Sequence, residues 1–118
     1  MEDFSIGSRK YFKDERFWLV RLPSGAFAAL ENKGDASRCA IEWRPDQEFM
    51  GLKGWFVDTC DGTHYDLTGA CFEKMFCYGP ARSPVRVSDG VVTVNLMQVH
   101  GDEHAYEPGD QPVNPPQQ

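Results

Sequence analysis

Four cysteines, Cys39, Cys60, Cys71 and Cys77, are the residues of this 118-residue chain with the widest chemical repertoire. Zinc ribbons and knuckles bring two thiolates to one ion through closely spaced pairs, and no C-x-x-C occurs here. An even count at wide spacing fits two disulfides, and four cysteines allow three pairings. The five residues between Cys71 and Cys77 permit a small closed ring, with two buried free thiols as the alternative. Thiol–disulfide exchange is disfavoured, since neither pair has the close spacing that depresses a thiolate pKa. The second group is Asp58, Asp61 and His64, with His100 and His104 further along. Carboxylates and imidazole together can hold a divalent ion. The same Asp-x-x-Asp-x-x-His run in a glycine-containing turn also reads as a solvated loop with its own side-chain-to-backbone hydrogen bonds. Asp66 reads as a turn cap.

The elements that must position these groups are short. Hydrophobic residues make up 41% and charged residues 25%, which excludes wholesale disorder, and the length suits one domain. A net charge of −6 argues against a nucleic-acid partner, whose phosphates a protein must neutralise. Apolar runs reach about five residues, far short of the ~20 that span a bilayer. Met1–Lys10 has neither the basic start nor the apolar stretch of a secretory signal.

Turn signals recur every eight to twelve residues between segments rich in β-branched and aromatic side chains, an all-β pattern. Phe17–Leu22, turning at Pro23-Ser24-Gly25 into Ala26–Glu31, reads as a hairpin. Val85–Val87 turns at Ser88-Asp89-Gly90 into Val91–Leu96, Asp-Gly supplying the positive φ of a tight turn. Trp55–Val57 and Thr63–Leu67 flank Asp61-Gly62 as a third pair. No helix of ten residues is expected, and residues 32–54 read as a long connection of little periodicity. Trp18, Trp43 and Trp55 are expected to pack in the core or under loops. Gly101–Gln118 carries four prolines, four acids and no Lys or Arg, and reads as a tail, either a solvated terminus or an arm that wraps a partner. Without it the remaining domain, residues 1–100, has a net charge of −2.

The order of Glu42-Trp43-Arg44-Pro45-Asp46, Gly54-Trp55-Phe56, Gly62-Thr63-His64-Tyr65-Asp66 and Gly79-Pro80-Ala81-Arg82-Ser83-Pro84 resembles a Rieske iron–sulfur domain. The likeness is greatest to the soluble domain of Rieske subunits in bacterial cytochrome bc-type complexes, over roughly residues 5–96. It implies an antiparallel β-sandwich or small barrel with a cluster-binding subdomain over about 32–84. In that family the first loop reads C-T-H-x-G-C and the second C-P-C-H-G-S-x-Y/F-D. Two Cys ligate one iron and two His the other. At those positions this chain has Gly34 and Ala36, then Asp58 and Asp61. All four ligands are absent, and no [2Fe–2S] cluster is expected. Glycine and alanine offer no donor, and carboxylates are hard ligands ill suited to a sulfide-bridged iron pair.

Cys39 and Cys60 fall on the two non-ligand cysteines that, in the bc-type branch, bridge the cluster loops, so the resemblance implies a Cys39–Cys60 disulfide. Cys71 and Cys77 lie in an insertion, Ala70–Tyr78, without counterpart. A shifted alignment would make Cys39 and Cys60 ligands and His64 a surviving histidine, at the expense of the flanking matches and with Ile41 at a histidine position. The resemblance implies a clusterless accessory or structural subunit, not an enzyme. Its partners would be protein subunits of a larger, membrane-associated redox complex, docking through Gly79, Pro80, Ala81 and Arg82 and through the bare loop tips, with no membrane span of its own. The alternative is a metal-binding or electron-transfer protein using Asp58, Asp61 and His64. Formed disulfides would place the chain outside the cytoplasm, on the periplasmic side; free thiols would place it in the cytosol.

Overall fold

The structure, a computed structural model, describes residues 5–34, 38–73, 77–101 and 111–115. These contain nine strands and no helix: β1 (Arg9–Phe12), β2 (Phe17–Arg21), β3 (Phe27–Glu31), β4 (Ile41–Phe49), β5 (Leu52–Asp58), β6 (His64–Tyr65), β7 (Arg82–Ser83), β8 (Val85–Ser88) and β9 (Val91–Val94). All pairings are antiparallel, in sheets ordered β1-β2-β3-β7, β4-β5-β6 and β8-β9.

Period-two alternation assigns each strand's faces. On β2, Trp18 and Val20 face one way and Phe17 and Leu19 the other; β3 pairs Leu30 with Trp18 and Ala29 with Leu19. Val20, Leu30, Ile41, Phe56, Tyr65, Leu67, Cys71 and Cys77 form the central core where the two larger sheets meet, with Trp18 and Trp43 packed against it. Phe17, Leu19 and Ala29, on the opposite face, pack under Val85, Val92 and Val94 of the β8–β9 hairpin. Trp55, Val57 and Phe72 make a third cluster on the outer face of β5. Every residue of Gly54–Asp58 is therefore buried, since β5 is covered on both faces.

All three hairpins expected from the turn residues form. The expectation of a connection over 32–54 is corrected: β4 occupies Ile41–Phe49 and turns at Met50-Gly51 into β5. Met50 and Gly51 both have positive φ (55° and 75°), as Asp89 and Gly90 do in the β8–β9 turn, the backbone of a two-residue type I′ loop. Met at the first position gives no turn signal, and Glu42, Arg44, Pro45, Asp46 and Glu48 line an exposed edge, where charge and proline block further pairing. The pairing register shifts between Arg44 and Glu48, opposite Gly54. Gly54 has φ of 95°, and a Cβ there would lie 3.0 Å from the Trp43 ring, so both its backbone and its packing require glycine.

The segment read as a solvated terminus or a partner-wrapping arm lies against the domain over its described part, residues 111–115. Val113 N–H donates to the Asp66 carboxylate (2.8 Å) and Val113 C=O accepts from Leu67 N–H (2.8 Å).

Candidate functional site

The first loop leaves β3 through Asn32, whose side chain fixes its mouth: Oδ1 accepts from Trp18 Nε1 (3.1 Å) and Ile41 N–H (3.0 Å), and Nδ2 donates to the Tyr11 hydroxyl (3.1 Å). Gly34 is buried; its N–H donates to Cys39 C=O (2.8 Å) and its C=O accepts from Arg38 N–H (3.2 Å), closing a compact turn. Ala36, the second residue that the resemblance sets at a ligand position, lies outside the described residues.

The second loop joins β5 to β6. Asp58 is 2% exposed, and its Oδ1 accepts from the N–H groups of Cys60 (2.8 Å) and Asp61 (3.1 Å). Asp61 Oδ1 accepts from Thr63 N–H (3.0 Å) and Thr63 Oγ1 (2.7 Å). Both carboxylates organise their own turn, a common use of Asp beside glycine.

A disulfide between Cys39 and Cys60 ties the two loops, with Cα atoms 6.1 Å apart. Thr59 reinforces it, donating to Ala40 C=O from both N–H (3.0 Å) and Oγ1 (2.9 Å). Cys71 and Cys77 form the second disulfide, inside the central core. Two disulfides are compatible with an oxidising compartment.

His64 does not join Asp58 and Asp61. Its ring stacks on Phe49, with centroids 4.1 Å apart and planes within 6°, and meets the edge of Trp55. Nδ1 donates to the Glu73 carboxylate and Nε2 accepts from the Gln47 amide (2.9 Å), which defines the tautomer. Val57 and His64 are register partners, so this ring belongs to the outer face of β5 with Trp55 and Phe72. Among the described residues, one set of three metal-capable groups has ligand atoms within 4.8 Å of one another, namely Cys39, Asp58 and Cys60, and both sulfurs are committed to the disulfide. His100 pairs its backbone with Arg82, and His104 lies outside the described residues.

The Gly79–Arg82 loop is built into the fold. Gly79 and Pro80 are buried, Ala81 C=O accepts from Glu31 N–H (2.8 Å), and Arg82 pairs with Leu30 and His100. The exposed residues of the region are Arg38, Ala40, Thr59, Cys60, Asp61, Gly62 and Pro84.

Asp66 caps the Leu67–Ala70 turn, as its place after Tyr65 suggested. Oδ1 accepts from Thr68 N–H (2.9 Å), Thr68 Oγ1 (2.6 Å) and Ala70 N–H (3.1 Å). Burial pushes its pKa above the ordinary carboxylate value, partly opposed by the hydrogen bonds from Thr68, Val113 and Ala70. A carboxyl with a raised folded-state pKa binds its proton more tightly folded than unfolded. Its contribution is thus most favourable at acid pH, declines as pH rises above the unfolded value of about 4, and levels off above the folded value. Unfolding free energies for the wild type relative to Asp66→Asn should follow that course across pH 3–8; a difference that grows with pH would contradict it.

The His64 partners, Gln47 and Glu73, and the seating of Val113 on Asp66 escaped the sequence reading, because they join residues 9 to 47 apart without any periodic signal. Comparison with protein-family models, curated proteins and solved structures finds no match to the chain.

Proposed function

We propose that this chain is a Rieske-like domain without its cluster, serving as an accessory or structural subunit that makes protein contacts in a redox or membrane-associated electron-transfer complex, on the periplasmic side. One observation carries the reading. The Cys39–Cys60 disulfide joins the two loops at the positions where the resemblance puts the bc-type clamp, while the ligand positions next to it carry no cluster ligand. Gly34 has no donor side chain, and Asp58 and Asp61 hold turn amides.

A clamp of this kind keeps two loops in fixed relation without iron, which is what a docking surface needs. The exposed tips, Arg38 on one loop and Thr59–Gly62 on the other, offer a partner backbone and polar groups in place of the imidazole edges of a loaded cluster. Gly79 and Pro80 are buried, leaving Pro84 as the exposed end of the third loop. The purified, oxidised protein is expected to contain no stoichiometric iron or acid-labile sulfide. A [2Fe–2S] stoichiometry in that assay would overturn the reading.

A further inference from the structure

Cys39 and Cys60 flank the end of the β4–β5 ladder, each two residues outside the register pair Ile41–Asp58. Their sulfurs and the Asp58 carboxylate have ligand atoms within 4.8 Å of one another. A tetrahedral zinc ion, with bonds of about 2.3 Å to sulfur and about 2.1 Å to oxygen, spaces its ligand atoms about 3.6–3.8 Å apart. The three groups therefore surround a zinc-sized position once the sulfurs are two thiolates instead of one bond. Asp58 is already fixed for that role. It is 2% exposed, and its Oδ1 accepts from the N–H groups of Cys60 and Asp61, the kind of outer bond that orients a ligating carboxylate.

The roots of the two loops hold together without the bond, because Thr59 donates twice to Ala40 C=O, while the tips are free to let the sulfurs part. Access separates this bridge from the other. Cys60 is exposed, as are Asp61 and Gly62 beside it, whereas Cys71 and Cys77 are 3% and 9% exposed in the core. An exposed disulfide is the one a thiol reaches, since reduction begins with attack on a sulfur. The thiolate of a dithiol reductant attacks Cys60 Sγ and breaks the S–S bond, and Cys39 leaves as a thiolate and takes up a proton. The reductant's second thiol then displaces Cys60, which takes up the second proton. The bridge gains two electrons and the reductant departs as a disulfide. A divalent ion then displaces both protons, and its charge offsets part of that of two thiolates and one carboxylate.

We propose that Cys39, Cys60 and Asp58 form a zinc site in the reduced chain, closed while the disulfide stands and opened by a dithiol reductant, with water as the fourth ligand on the exposed Cys60 side. The site stands on these three groups and is independent of the resemblance to a Rieske domain; it belongs to the reduced chain, whereas the iron assay above concerns the oxidised one. The full-length protein, reduced under native conditions with a phosphine and freed of it without air, is titrated with Co2+ and then Zn2+. Alkylation should find new thiols at Cys39 and Cys60 alone. The reduced chain should take up one Co2+ with the absorption of a tetrahedral thiolate-ligated ion, lost on adding Zn2+, and the oxidised chain should take up neither. Asp58→Asn should weaken binding at least about tenfold, and Asp61→Asn, outside the set, should leave it unchanged. Should Asp58→Asn fail to fold, the reduced wild type decides, since saturating Zn2+ should slow alkylation of Cys39 and Cys60 about tenfold or more. Earlier reduction of Cys71–Cys77, no thiolate-to-cobalt absorption, equal affinity of the wild type and Asp58→Asn, or alkylation indifferent to zinc overturns the proposal.

Discussion

Replacing Phe56 with alanine is expected to lower the stability of the domain by about 3–5 kcal/mol, the range for emptying a large buried aromatic site. Phe56 is fully buried at the centre of β5, and two tryptophans meet its ring nearly edge-on: Trp18 from β2 (5.1 Å, 69°) and Trp43 from β4 (5.0 Å, 70°). One residue thus joins the facing sheets, and its loss leaves a cavity between indoles held elsewhere. Trp18 is bonded to Asn32 and Trp43 lies under Arg9, so neither ring can collapse freely into the space. Domains of this size are stable by about 5–15 kcal/mol, so the variant should unfold at markedly lower urea concentration with a similar m value. A loss below about 1 kcal/mol would mean that the sheets do not meet at this ring.

Removing the Cys39–Cys60 bridge by paired alanine substitutions is expected to cost about 3 kcal/mol, and removing Cys71–Cys77 about 2 kcal/mol, because the first closes the longer loop, 21 residues apart against 6. These are the loop-closure contributions alone, and the first is read most cleanly: Cys60 is exposed and Cys39 half-buried, so alanine there empties little of the core, whereas alanine at buried Cys71 adds a packing loss to its smaller loop term. Loss of the first bridge should also loosen its two loops locally, since Thr59 still bonds Ala40 but nothing covalent holds the tips. Urea unfolding ranks the two variants, and amide exchange at Cys60 and Asp61 reads the loosening. Equal stability of the wild type and the Cys39/Cys60 variant would show that the clamp does not restrain the chain.

Strong local chemistry made much of this fold legible. The FWLVRL run is apolar and rich in strand-forming residues, VVTVNL alternates from Val92 on, and their Ser-Gly and Asp-Gly turns demand hairpins. β4 was hidden for the opposite reason: its outer edge is written in Glu, Arg, Pro and Asp, the residues that prevent further pairing, and its turn begins at Met50. β1 was missed because four half-exposed residues, Arg9–Phe12, carry too little apolar content to stand out. At the site, the Asp58 and Asp61 turn bonds are local and follow from residue type. His64 is near Asp58 and Asp61 in sequence, yet alternation along β6 turns its ring to the outer face of β5. Composition reflects only the tail's small apolar area, whereas a buried carboxylate with one oxygen unspent by its own turn holds a backbone N–H 47 residues away.

The central claim, that these loops are a Rieske-like pair from which the ligands have gone, is tested most directly by putting the ligands back. A chain carrying Gly34→Cys, Ala36→His, Asp58→Cys and Asp61→His, reconstituted with iron and sulfide with the Cys39–Cys60 bridge intact, should bind two irons and show the visible absorption of a histidine- and cysteine-ligated [2Fe–2S] centre, while the wild type stays colourless. A folded, bridged variant that takes up no iron, or binds it without that spectrum, would contradict the account.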